Sequence, residues 1–240
     1  MQEAILQKAN RSILYLMVLS IPLVYTWRTY DAFTTPKEFI FRIGVILLAS
    51  LFLCDFMGRN RHEFYRHPLS LPLFLFWLWG LISALFSAHR AQSLNSYVII
   101  TSSAIFFYLI LYTLKDHRGK RIIFDILILA SIYISALSIL QYMGLFRMED
   151  RFSTTSGPLP KVAIYSTIGN PNFIGSFLIG IAPIIIASIL ISNLTKRIIY
   201  IAGLVLLLVA IIILRSKGSY VGLIFSSLFL FWLLTKIYRK

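Results

Sequence analysis

Charge is scarce in this chain, and acidic charge is scarcest. Only 9 of its 240 residues are Asp or Glu, against 23 Lys and Arg, and charged residues together make up 13%, about half the share of a soluble domain. The single cysteine, Cys54, excludes an internal disulfide. Lying within an apolar run, it reads as a small packing residue. Four histidines, His62, His67, His89 and His117, show no ligand spacing, so neither a metal nor a cofactor is indicated. Walker, dinucleotide and nucleophile-elbow motifs are missing as well. There is no internal repeat and, beyond one Ser/Thr cluster at 153–156, no low-complexity tract.

What the chain has instead is hydrophobic length. Apolar residues make up 58% and the mean hydropathy is +0.81. The apolar residues fall in long uncharged runs, and a bilayer core about 30 Å thick needs roughly 20 such residues per helix. The runs do not alternate, which excludes a β-barrel. The expected fold is an all-α, polytopic transmembrane helical bundle forming a single membrane domain, 1–240. About eight spans are expected, at 12–27, 39–57, 69–88, 91–114, 122–143, 173–192, 198–214 and 219–235. The first has no small-residue cleavage site and is read as a retained helix, not a signal peptide.

Lys and Arg sit in the connections. A net charge of +14 would suggest nucleic acid in a soluble protein, but topology and anionic membrane lipid explain it better here. The N-terminus, the second, fourth and sixth connections and the C-terminal tail hold fourteen of the 23 Lys and Arg. Both termini are therefore expected in the cytoplasm. The long connection 144–172 then lies outside, together with Arg215 and Lys217. It carries Arg147, Glu149, Asp150 and Arg151, then an uncharged stretch from Val162 onward that is too apolar for a free loop and is expected to dip into the outer membrane face.

Two short runs concentrate unusual backbone chemistry. In Gly169-Asn170-Pro171-Asn172-Phe173, Gly169 can take backbone angles closed to other residues, both Asn side chains can bond their own backbone, and Pro171 fixes φ. Asn172 stands where the N-cap of the following helix belongs. The run reads either as a well-capped helix entry or as a self-shaped loop at the membrane boundary. Arg215-Ser216-Lys217-Gly218 makes the very short turn before the last span. Charges keep any such turn in water, but two cations on the outer side run against the positive-inside bias. Beside the free N–H groups of a helix start they suit a phosphate or diphosphate.

Other ionisable residues lend themselves to local readings. Arg42 lies within span two, one turn from Glu38, which fits an interfacial pair or snorkelling as well as a functional role. Asp55 and Asp125 lie near basic residues, Arg59 for the first and Lys120 and Arg121 for the second, and local pairing is expected. Trp27, Tyr30, Trp232 and Tyr238 fit interface anchors.

Taken together, these stretches resemble the O-antigen ligase and O-antigen polymerase superfamily of bacterial envelope glycosyltransferases. Thr167-Ile168-Gly169-Asn170-Pro171-Asn172-Phe173 before an apolar helix is similar to that family's Gly-Asn-Pro-Asn signature. Ser216-Lys217-Gly218-Ser219-Tyr220-Val221-Gly222 is similar to its Ser-Arg-Gly-small-aromatic-x-Gly run, and Phe33-Thr34-Thr35-Pro36-Lys37 and His67-Pro68-Leu69 are weaker echoes in the same order. The resemblance implies a protein of the bacterial inner membrane that acts on a glycan carried by undecaprenyl diphosphate. Its acceptor on the periplasmic side would be lipid A core, another glycan or a protein. It implies diphosphate contact for Arg215 and Lys217, with Arg147, Arg151, Asn170, Asn172 and Arg42 as candidates for the outer vestibule. Membrane lipids are further partners and nucleic acid is not. Lys217 stands where the family has Arg and cannot give the same bidentate fork. The family also continues into a large periplasmic loop with a histidine implicated in catalysis; no histidine here holds that place, so no catalytic residue is assigned and glycosyl transfer by this chain stays open. The chain reads as an N-terminal portion of such a protein or a shortened relative. A small-anion transporter and a non-catalytic membrane partner subunit are the rival readings.

Overall fold

The computed structural model describes residues 2–29, 31–57, 67–146 and 164–238. Among them are eight α-helices and no strand: α1 Gln2–Leu23, α2 Thr34–Met57, α3 Ser70–Leu85, α4 Arg90–Thr113, α5 His117–Tyr142, α6 Pro171–Ile191, α7 Leu194–Leu214 and α8 Lys217–Tyr238. The protein is a helical membrane bundle, as the hydropathy requires. Six helices, α2 and α4 to α8, are long and apolar enough to cross a membrane. The other two fall short for readable reasons. α1 spends its first half on Glu3, Lys8 and Arg11. α3 has 16 residues, about 24 Å at 1.5 Å per residue. It stops early because the Ser87 hydroxyl accepts the His89 N–H, a local turn that competes with the helix.

The chain divides into two compact units, residues 1–21 with 37–123, and residues 22–36 with 124–240. In the first, Leu14 and Met17 of α1 pack with Val45 and Leu48 of α2 and with Leu109 and Leu114. Gly44 makes room for Met17, whose sulfur would lie 2.3 Å from a Cβ at that position. Asp55 is buried and accepts a hydrogen bond from the Tyr112 hydroxyl of α4, a partner on another helix. Cys54, beside it, faces outward and is not a packing residue. Asp116 caps α5, accepting the Gly119 N–H at 3.0 Å, and pairs with Arg11.

In the second unit α6 packs against both α7 and α8. Ile174, Leu178, Ile181 and Ile185 form one stripe of α6 and meet Leu207, Ile211 and Leu214 of α7 and Ile128 and Ile134 of α5, the helical spacing that turns one face inward. Asp125 again takes a cross-helix partner, accepting from the Tyr200 hydroxyl at 2.7 Å with Lys196 Nζ at 4.0 Å. Both carboxylates thus take a tyrosine hydroxyl from a neighbouring helix, and the expected partner of Asp55, Arg59, lies outside the described residues.

Candidate functional site: the linked turns at the starts of α6 and α8

The backbone entering α6 is irregular and is held from inside the protein. Ile164, Ser166 and Thr167 are buried, so this part of the apolar stretch packs within the second unit. Gln141, at the end of α5, accepts from the N–H groups of Tyr165 and Ser166 with one oxygen, at 3.0 and 2.8 Å. Ser166 takes φ 44°, a left-handed angle unusual for serine, and its hydroxyl donates to the Ile134 carbonyl. Thr167 donates to the Pro22 carbonyl at 2.7 Å. Gly169 follows at φ 89°, and a Cβ there would lie 2.4 Å from the Phe33 ring. Phe33 is itself stacked on Tyr25 and Tyr165, with Trp27 edge-on.

Asn170 is the N-cap of α6. Its extended backbone precedes Pro171 at the first helical position, and its side-chain oxygen accepts the Asn172 N–H at 2.8 Å. The cap expected at Asn172 thus falls two residues earlier, because a proline fits the first turn and starts the helix there. Relieved of capping, the Asn172 oxygen accepts from the Ser216 hydroxyl at 2.8 Å. This bond joins the two motif-bearing turns.

A second link lies one turn further along. Gly175 of α6 faces Ser219 of α8, whose Oγ would sit 1.8 Å from a Cβ at 175. Only glycine admits so close an approach. Between α7 and α8 the turn is compact: Arg215 caps the end of α7 in the left-handed region at φ 51°, and the Ser216 carbonyl accepts the N–H groups of Ser219 and Tyr220. Ser216 and Ser219 are buried while Arg215 and Lys217 stand exposed. Neither cation has an ion-pair partner among the described residues. Lys217 is the first residue of α8, where the positive helix end and the orphan N–H groups already favour an anion. The arrangement can hold a phosphate or diphosphate electrostatically.

Of the sequence-derived candidates, Arg215, Lys217, Asn170 and Asn172 belong to this cluster. Arg42 belongs to the first unit and is engaged there with Glu38 Oε2 at 3.3 Å and Asn95 Oδ1 at 3.4 Å. Arg147 and Arg151 lie outside the described residues. Sequence reasoning passed over Gln141 and Ser166, and quoted Thr167 only as part of a motif. An amide near the end of a mainly apolar span was the one available signal for Gln141. Among the described residues no three His, Cys, Asp or Glu gather as a metal site.

The chain matches no family model, no curated protein and no solved structure. The class that its helices define is a multi-pass helical membrane protein.

Proposed function

We propose that this chain is an O-antigen ligase/polymerase-like protein of the bacterial inner membrane, with both termini cytoplasmic. In this reading it binds the diphosphate of an undecaprenyl-diphosphate-linked glycan at the periplasmic face through Arg215 and Lys217. The observation that carries the reading is the Ser216–Asn172 hydrogen bond, which joins two motifs 44 residues apart. They are the same two motifs on which the resemblance rests. Two exposed cations at one helix start supply charge complementarity to a diphosphate without needing a metal. A cation at a departing diphosphate would also stabilise the charge developing in glycosyl transfer.

The test is binding of undecaprenyl diphosphate to the purified chain, with inorganic diphosphate as competitor. Arg215→Ala and Lys217→Ala are each expected to weaken binding about 10- to 100-fold, the loss of a charged hydrogen bond. Unchanged binding in both variants would overturn the assignment. Accumulation of an anion in liposomes without glycan transfer would move the reading to a transporter.

A further inference from the structure

The α3–α4 hairpin carries two adjoining pockets. One, of about 450 Å³, is lined by Leu73, Trp77, Ile99 and Phe107 and is almost wholly apolar; its lone hydroxyl, that of Ser103, is turned back onto the Ile99 carbonyl. The other, of about 420 Å³, lies against the α3–α4 turn and presents Ser83, Ser87, Gln92, Ser93 and Ser96 beside Trp79 and Tyr97. Phe76 and Ile100 line both. The two pockets therefore adjoin along these two side chains, one apolar and one polar, each within the size range of small-molecule sites.

Three features narrow the occupant. No lining residue is charged, so a phosphate head would find no counter-ion. The polar end is rich in neutral hydrogen-bonding groups that hydrocarbon cannot satisfy. Ser93 and Ser87 bond each other and Ser96 bonds the Gln92 carbonyl, while the Tyr97 hydroxyl is shielded and has no partner among the described residues. Finally, Trp79 is 71% exposed and Phe76 61%, offering flat apolar faces beside the hydroxyls. Flat faces next to uncharged donors and acceptors suit a sugar ring, which has an apolar C–H face and a polyhydroxyl edge. The apolar half suits the hydrocarbon that would anchor such a head.

We infer that the α3–α4 groove binds a glycolipid with an uncharged sugar headgroup, the ring lodged between Trp79 and the serines and the chain lying along Leu73, Ile99 and Phe107. The inference uses a site without cations and stands independently of the roles proposed for Arg215 and Lys217.

Native mass spectrometry of the full chain, in a detergent without a sugar head, tests it against an equimolar mixture of monoglucosyl-diacylglycerol, diacylglycerol and phosphatidylglycerol with matched chains. The glucosyl lipid is expected to bind about tenfold or more better than diacylglycerol, the worth of one or two net hydrogen bonds. A Ser83→Ala, Gln92→Ala, Ser96→Ala triple variant should lose that preference and still take up diacylglycerol. Trp79→Leu, a change at an exposed position, should weaken the preference too and serves if the triple variant does not fold. Ile100→Trp, which fills the groove, should reduce uptake of all three lipids. Equal uptake of the three lipids would overturn the inference, as would a preference for phosphatidylglycerol or a glucosyl preference that survives both the triple variant and Trp79→Leu. A dimer taking up no lipid, whose interface is broken by Ser83→Trp, would assign the groove to a second copy.

Discussion

Gly169→Ala tests whether the turn before α6 is held as rigidly as its contacts imply. Two glycines of the second unit sit at positive φ, Gly144 at 74° and Gly169 at 89°, and they differ in their surroundings. A Cβ at 144 meets nothing within 4 Å, while one at 169 lies 2.4 Å from two atoms of Phe33. Gly144→Ala therefore isolates the backbone term, about 1–2 kcal/mol for a left-handed alanine. Gly169→Ala adds an overlap that the ring must relieve by moving about 1 Å to reach ordinary contact. Phe33 is stacked between Tyr25 and Tyr165, so that movement displaces both, at about 1–3 kcal/mol for an overpacked site. The expected cost is about 2–5 kcal/mol in total. Thermal unfolding of the detergent-purified protein should show a drop in Tm at least about twice that of Gly144→Ala, at about 2–4 °C per kcal/mol for a chain this long. Adding Phe33→Ala to Gly169→Ala should recover about 1–3 kcal/mol relative to the sum of the single variants. Equal Tm losses for the two glycine variants, or strict additivity with Phe33→Ala, would refute the packing argument.

Three further changes probe the same elements. Gly175→Ala should force α8 away from α6 through Ser219, lowering Tm as an overpacked contact of about 1–3 kcal/mol does, with Ser219→Gly restoring most of the loss. Asn170→Ala should cost about 1 kcal/mol as a lost N-cap, seen in the same melts, whereas Asn170→Asp should keep the cap. Asp116 is held below the ordinary aspartate value of 3.8, first by the Gly119 N–H and then by its neighbours Arg11 and Arg118. A depressed folded-state pKa stabilises fully above the unfolded value and is lost as pH falls through the folded one, so Tm should fall below about pH 4, and Asp116→Asn should flatten that part of the profile.

The eight helices and the two turns were legible because apolar length and turn chemistry are local properties of sequence. Asn172 was misread as the cap, although Pro171 marks the first helical position and points to Asn170 one residue before it. Cys54 could have been placed on the outer face only by knowing that Asp55, about 100° away on the helix, turns inward. The partners of Asp55 and Asp125 lay beyond local reading altogether, since Tyr112 and Tyr200 come from other helices 57 and 75 residues away. The same holds for Gln141, whose two donors, the Tyr165 and Ser166 N–H groups, lie 24 and 25 residues downstream. Of the site, the cations were visible and the hydrogen bonds that place them were not.

Those hydrogen bonds form a chain of positioning that yields one last prediction. Gln141, Ile134 and Pro22 fix the backbone before α6; that backbone fixes where α6 begins; and the start of α6 sets Asn172 against Ser216, beside Arg215 and Lys217. An irregular segment among apolar helices is tolerated only when its polar groups are satisfied from within, and Gln141 satisfies two with one oxygen. Gln141→Leu leaves both N–H groups without an acceptor, at about 1–3 kcal/mol each, and frees the turn to shift. Under the proposed function, diphosphate affinity should fall in this variant although neither cation is altered. Gln141→Glu, which keeps an acceptor in place, should retain more affinity and more stability than Gln141→Leu. If Gln141→Leu melts earlier yet binds undecaprenyl diphosphate as tightly as the parent, the turn does not position the cations and their affinity for the ligand is a property of exposed charge alone.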